Sequence, residues 1–235
     1  MPDRYRYTAL ICTLPAHSSL AEIRQTPLSR IRLWQRLRSM EPADYQCLTR
    51  AVRLLEWYRH PMQETDSEFI NRIDREIHHI NCRFLQDLVI WRLELRSLVA
   101  ALRYKMHGLK NPPTSPWGYG RWLATICRNW NRDYFGLEKA HPWLKQGTRF
   151  LREGDTYGFE KLLLLVVWNH LDRIAGDHYF DFEAVIVYVQ RWDVIDRWTR
   201  YHSTKALDRF DHLASAGLAS INETMHQGHQ QTFPK

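Results

Sequence analysis

Between Glu64 and Gly108 the chain carries neither proline nor glycine, and Gly108 itself ends the run. A continuous helix over that stretch would span roughly 65 Å at 1.5 Å rise per residue, about twice the width of a small domain. Phe69, Ile73, Ile77, Ile80, Phe84, Leu88, Trp91, Leu95, Leu98 and Leu102 recur every three to four residues, which is the spacing of one apolar helix stripe. Strict heptads do not persist, so the spacing predicts a bundle helix rather than a free coiled coil. Thr65 or Asp66 supplies the N-cap. His78–Asn81 is where the run would bend or break, leaving two stacked helices in place of one rod. Such a scaffold is commoner in mechanical or assembly subunits than in compact enzymes.

The flanking segments are also read as helical. In "PLSRIRLWQRLRS" the apolar stripe is Leu28, Ile31, Trp34 and Leu37. In "EPADYQCLTRAVRLLEWYRH", Pro42 suits a first turn, Leu48, Val52 and Leu55 form one face, and His60–Pro61 closes the helix. "YRYTALICTLP" alternates like a strand but also fits a helix. Pro15 ends it. "GLKNPPTSPWGYG" is the clearest punctuation, with Gly108 as a C-cap. Beyond it come a short helix in "RWLATICRNW" and another around "GLEKAHPWLKQGTRFLRE", broken at His141–Pro142. Gly154–Asp155–Thr156 then caps "FEKLLLLVVWNHLDRIAG", which is expected to be the most buried helix of the second half. In "DFEAVIVYVQRWDVIDRWTRYHS", Asp181 is the N-cap. A strand over 184–189 competes locally through β-branched residues, but the spacing through Trp192, Ile195 and Trp198 favours helix. A last helix capped by Ser203 precedes a polar tail. The expected organisation is an N-terminal helical bundle over 1–110, a Pro/Gly-rich crossover over 111–120, a C-terminal helical bundle over 121–222 and the tail over 223–235. The fold class is all-α, with elongated bundles of packed helices.

Composition narrows function mainly by exclusion. Among 235 residues, 44% are hydrophobic and 13% aromatic, enough for a real core. The formal charge of +7 raises nucleic acid or an anionic membrane as partners, but acids and bases are interleaved and no block of like charges appears. Cys12, Cys47, Cys82 and Cys127 lack metal or redox spacing and read as free thiols of a reducing compartment. "KLLLLVVW" is far shorter than the roughly 20 apolar residues that cross a bilayer.

Three groups of residues are candidates for chemistry. His78, His79 and Cys82 are the nearest approach to a metal motif, but two ligands on one helix need more from elsewhere, and core or surface placement is the simpler reading. His170, Asp172, Asp177, His178 and Glu183 form a polar cluster between two apolar helices. Acid–base work needs such groups, yet Asp177 and Asp181 sit where a helix turn needs caps, and His178–Tyr179–Phe180 reads as fixing how the helices meet. Arg92, Arg96 and Arg103, with Glu94, lie on the long helix near one face. They form either a solvent face or polar contacts, with a partner or inside the bundle, a role suited to planar, multidentate guanidinium. No Walker lysine motif or Gly-x-Ser-x-Gly elbow is present. No catalytic, cofactor-binding or metal-ligating residue is assigned, and no cofactor or small-molecule substrate is implied.

Several segments, taken in order, resemble a known group. "DLVIWRLELRSLVAALRYKMHG" (Asp87–Gly108) is similar to the leucine- and arginine-rich helix of the C subunit of V/A-type ATPases, subunit d in the eukaryotic vacuolar pump. A closer resemblance is to the short bacterial branch carried as DUF2764. Its tyrosine-rich opening is matched by Tyr5–Leu10 and Leu14–Pro15, its "YFNLEKxxPWL"-like segment by Tyr134–Lys139 and Pro142–Leu144, and its "HYF" with an acidic-capped helix by His178–Phe180 and Glu183. The chain departs at Arg6, which interrupts the tyrosine pair, and at Gly136, which replaces a polar residue. The resemblance covers most of residues 5–213, in a chain shorter than typical C subunits. It implies a shortened relative of the C/d funnel fold and a non-catalytic central-stalk subunit, cytoplasmic and peripheral on the membrane's cytoplasmic face. Its partners would be the rotor shaft and the membrane c/K ring. Arg92, Arg96, Arg103, Trp143, His178 and Tyr179 are the residues expected at partner contacts or in structural polar contacts. The alternatives are a basic helical adaptor for nucleic acid or another protein, or an assembly factor for such an ATPase.

Overall fold

The computed structural model describes residues 4–55 and 65–200. The readings placed on His60–Pro61, on Ser203 and on the tail lie outside the described residues. The elements in chain order are α1 (Thr8–Thr13), α2 (Arg30–Leu37), α3 (Pro42–Leu55), α4 (Asp66–Ile77), α5 (Arg83–Met106), α6 (Leu123–Arg128), α7 (Trp143–Arg152) and α8 (Thr156–Ala175). Helix α9 follows at 182–200. No strand occurs among the described residues: the tyrosine-rich opening is a turn that leads into α1 at Thr8, and the 184–189 run is helix.

The single rod is not formed. Helix α4 ends at Ile77 and α5 begins at Arg83, so the alternative of two helices applies. The break is stabilised by side chains that collect the carbonyls a helix end leaves without partners. The Gln86 amide donates to Ile80 O at 2.7 Å and, more weakly, to Ile77 O at 3.4 Å, and Arg50 Nη1 donates to His79 O at 2.8 Å. Ile80, fully buried, anchors the connection in the core. At the other end of α5, Gly108 adopts φ +84. Its N–H bonds Lys105 O and the Leu109 N–H bonds Tyr104 O, both at 3.1 Å, which is a Schellman closure.

Two helix faces differ from the expected ones. On α2 the buried residues are Leu33 and Leu37, while Ile31 is 72% exposed. The stripe therefore runs through Leu33, and Trp34 only packs along its edge. Helix α8 is not the most buried of the second half. It buries Phe159, Leu164, Val167 and Leu171 on one face, and Leu165 is exposed. The α9 run buries Val185, Ile186, Val189, Trp192, Ile195 and Trp198. It is covered from the N-terminal side as well, where Tyr188 Oη donates to Pro15 O (2.9 Å) and Trp192 Nε1 to Leu28 O (2.8 Å).

Two apolar clusters make the core. One joins α1 to α4, the first half of α5, the second half of α8 and α9. The other joins the end of α5 to Trp117, α6, Phe135, α7 and the start of α8. The crossover is strapped to α5 by two buried polar side chains. The Tyr119 N–H donates to Ser97 Oγ (2.7 Å) and the Arg121 N–H to Glu94 Oε1 (3.0 Å). All four cysteines are free thiols. No helix among the described residues is long and apolar enough to cross a membrane.

Candidate functional site

The α8–α9 turn is organised by Asp181. Its Oδ1 accepts the Ala184 N–H at 2.9 Å, the N-cap bond of α9, and its Oδ2 lies 2.7 Å from His178 Nδ1. Glu183 completes a group whose ligand-type atoms lie within 4.8 Å of one another, close enough to share an ion but short of the four ligands of a structural site. Both Asp181 oxygens already have partners within the fold, so the cap accounts for that residue without an ion. Two other members of the polar cluster, Asp172 and His170, are engaged elsewhere. Asp172 pairs with Arg191. His170 lies flat on Trp91. The set His78, His79 and Cys82 is not drawn together as ligands: His79 Nδ1 bonds Arg75 O at 2.7 Å, and Cys82 precedes the first turn of α5.

The same turn receives the segment around Tyr5 and Tyr7. The Tyr7 N–H donates to Phe180 O at 2.7 Å, Tyr5 stacks on Phe180, and Tyr7 meets Phe182 at 6.3 Å between centroids. Phe84, from the first turn of α5, meets the His178 ring edge-on at 5.2 Å. Tyr7 Oη donates to Asp44 Oδ2 at 2.5 Å, and Arg6 bridges Asp44 and Glu41. Burial, followed by that hydrogen bond, pushes the Tyr7 phenol well above its ordinary range. Tyr5 and Tyr179 remain 68% and 62% exposed. Aromatic side chains from distant parts of the sequence thus gather at this turn, with Tyr5 and Tyr179 the exposed members.

The arginines sit together along a groove of about 320 Å³ between α5 and α8. Arg92, Arg96 and Arg103 line it from α5, and Glu160 and Arg197 line it from the opposite side. Arg96 stacks over Phe69, with Asp66 at 3.8 Å, and Arg103 lies over Phe159. Arg197 pairs with Glu160. Arg92 is 5% exposed and makes no hydrogen bond or ion pair with any described residue. Burial pulls its guanidinium down to about 10, with Asp193 and Glu160 acting upward and Arg197 downward. It is therefore cationic at neutral pH, held among apolar side chains. A solvent-facing arginine row describes Arg103 but not Arg92. Trp143 stands apart from this groove, half-buried against the second core cluster and in contact with Gly147.

Arg197 and Glu160 escaped the sequence reading because the mixed-charge pattern of α8 and α9 does not reveal which polar residue faces α5. The wider groove of about 640 Å³ between α3 and α4 already holds its Arg50 against Glu76 at 3.6 Å.

A model of the family described as "Protein of unknown function (DUF2764)" matches residues 63–216. No curated protein and no solved structure matches the chain.

Proposed function

With the chain a member of the DUF2764 family of proteins of unknown function, we propose that it is a non-catalytic central-stalk subunit of a V/A-type ion-translocating ATPase. In this reading it couples the soluble rotor shaft to the membrane c/K ring from the cytoplasmic face. The observation that carries the reading is the convergence at the α8–α9 turn. The tyrosine-rich opening and the His178–Phe180 segment, two of the stretches that resemble the DUF2764 branch, meet there, and Phe84 at the start of α5 packs against His178 beside them. Torque transfer asks for helices that do not shear. Long-range ties such as Trp192 to Leu28 and Tyr188 to Pro15 supply that kind of bracing. Exposed tyrosines at this turn suit a protein contact, because a tyrosine buries a large rigid area at small entropic cost.

The test is recovery of the tagged protein from gently detergent-solubilised native membranes, with partners identified by mass spectrometry. Stoichiometric V/A-type ATPase subunits are expected, and Tyr179→Ala is expected to reduce their yield while leaving the helical content unchanged. If the ATPase is shown intact by its activity and does not accompany the protein, the stable-subunit reading is lost and an assembly factor takes its place.

A further inference from the structure

We propose that the groove between α5 and α8 is a binding site for an amphiphilic carboxylate, a small organic acid whose anionic end meets Arg92 and whose apolar body lies along Leu95, Val99 and Val167. This rests on the groove alone and stands or falls separately from the rotor-coupling reading. The central observation is Arg92, a guanidinium 5% exposed, without a hydrogen bond to any described residue, on the wall of an open cavity. Guanidinium carries five N–H donors in a planar fork that matches a carboxylate. A guanidinium so deeply placed is poorly hydrated, and its N–H groups open onto the groove where an anion would meet them. Asp193 and Glu160 act on Arg92 only at range, and Glu160 is engaged by Arg197.

The surroundings select the rest of the ligand. Of the four arginines that line the groove, Arg96 is paired with Asp66 and Arg197 with Glu160, so Arg92 and Arg103 carry the positive charge that favours an anion there. The remaining wall is aliphatic, including Val99, Leu164 and Val167, all nearly buried. Those side chains offer nothing to a strongly hydrated phosphate, whereas they would cover a hydrocarbon body. At about 320 Å³ the space lies at the lower end of small-molecule pockets, which run roughly 300–1,000 Å³.

The experiment is isothermal titration of the full chain at constant ionic strength with sodium octanoate, with octan-1-ol and with inorganic phosphate. Octanoate is expected to bind at least about tenfold more tightly than either of the others, the margin set by a charge-assisted, bidentate pair. Arg92→Gln is expected to weaken octanoate by about tenfold or more, and the exposed Arg103→Gln by less. Three results overturn the proposal: no saturable octanoate binding, octanol binding as well as octanoate, or phosphate matching octanoate. A folded Arg92→Gln that binds octanoate normally also overturns it. Should that variant fail to fold by circular dichroism, the three-ligand comparison on the unmodified chain decides alone.

Discussion

The His170 imidazole lies flat on the Trp91 indole, with centroids 3.5 Å apart and planes 2° from parallel, and Arg173 Nη2 stands 2.8 Å from its Nδ1. Because guanidinium only donates, Nδ1 must accept, so the ring is held neutral. Burial, then the charges of Arg173 and Arg92, bring His170 down to about 4. His17 stacks on Tyr188 and is brought down to about 4 by burial and by Arg191. For both histidines the folded value lies below the unfolded one. Their contribution is therefore complete above the unfolded value near 6.5 and is lost as pH falls toward 4. Chemical denaturation between pH 7 and pH 4.5 is expected to show a loss on the order of 1–2 kcal/mol for each, after screening at these partly exposed rings. His170→Phe is expected to flatten the slope, keeping the stack while removing the titration. An unchanged slope in that variant would refute the assignment.

Gly120 and Glu94 are in contact that only glycine permits. Gly120 has φ +97, and a Cβ built there would overlap the Glu94 side chain, whose Oε1 holds the Arg121 N–H. Gly120→Ala is expected to destabilise by about 2–4 kcal/mol, combining left-handed backbone strain with overpacking. Gly108→Ala is the control, since φ is +84 but nothing lies within 4 Å of its Cβ. It is expected to lose only about 1 kcal/mol. Urea midpoints of the two variants measure the difference, and equal losses would mean that Glu94 gives way.

The parts of this fold that were legible in the sequence are the ones written in local chemistry. Asp181 and Gly108 announce helix ends through side-chain acceptors and left-handed backbone, and both serve in those roles. The break after Ile77 was legible as a place but not as an outcome. What favours it is Gln86 and Arg50 reaching carbonyls from other turns and another helix, and no local pattern encodes those contacts. The Ile31 reading failed for a related reason: both Ile31 and Leu33 fit an apolar face on α2, and only the packing of neighbouring helices selects Leu33. At the candidate site, the row Arg92, Arg96 and Arg103 could be read from spacing. Which of the three is buried depends on α8 and on Arg197, and helix periodicity carries no information about a neighbour's face.

Thr65 begins α4 with a reciprocal capping box. Its Oγ1 accepts the Glu68 N–H at 3.3 Å, and Glu68 Oε2 accepts the Thr65 N–H at 2.9 Å. Thr65→Ala is expected to cost about 1 kcal/mol, within the usual range of 0.5–2 for lost caps. Thr65→Ser should retain most of that contribution. Native-state hydrogen exchange of the first-turn amides of α4 checks the location: protection should fall there in the alanine variant and hold in α7. Uniform loss across both helices would mean that α4 unfolds only with the whole chain.

Arg92→Met separates stability from binding at the groove. The thioether keeps a long unbranched body and removes a cation that burial brings down to about 10. Removing a buried charge that makes no direct ion pair among the described residues relieves its desolvation cost, while Asp193 and Glu160 lose an attraction that offsets part of the gain. The net expectation is a free protein more stable by about 1–2 kcal/mol, with octanoate affinity lost. A group retained for packing alone predicts the reverse, because methionine would then forfeit contacts and gain nothing. Thermal unfolding with and without octanoate distinguishes the two. The unmodified chain should gain melting temperature on adding octanoate, and Arg92→Met should begin higher and not move.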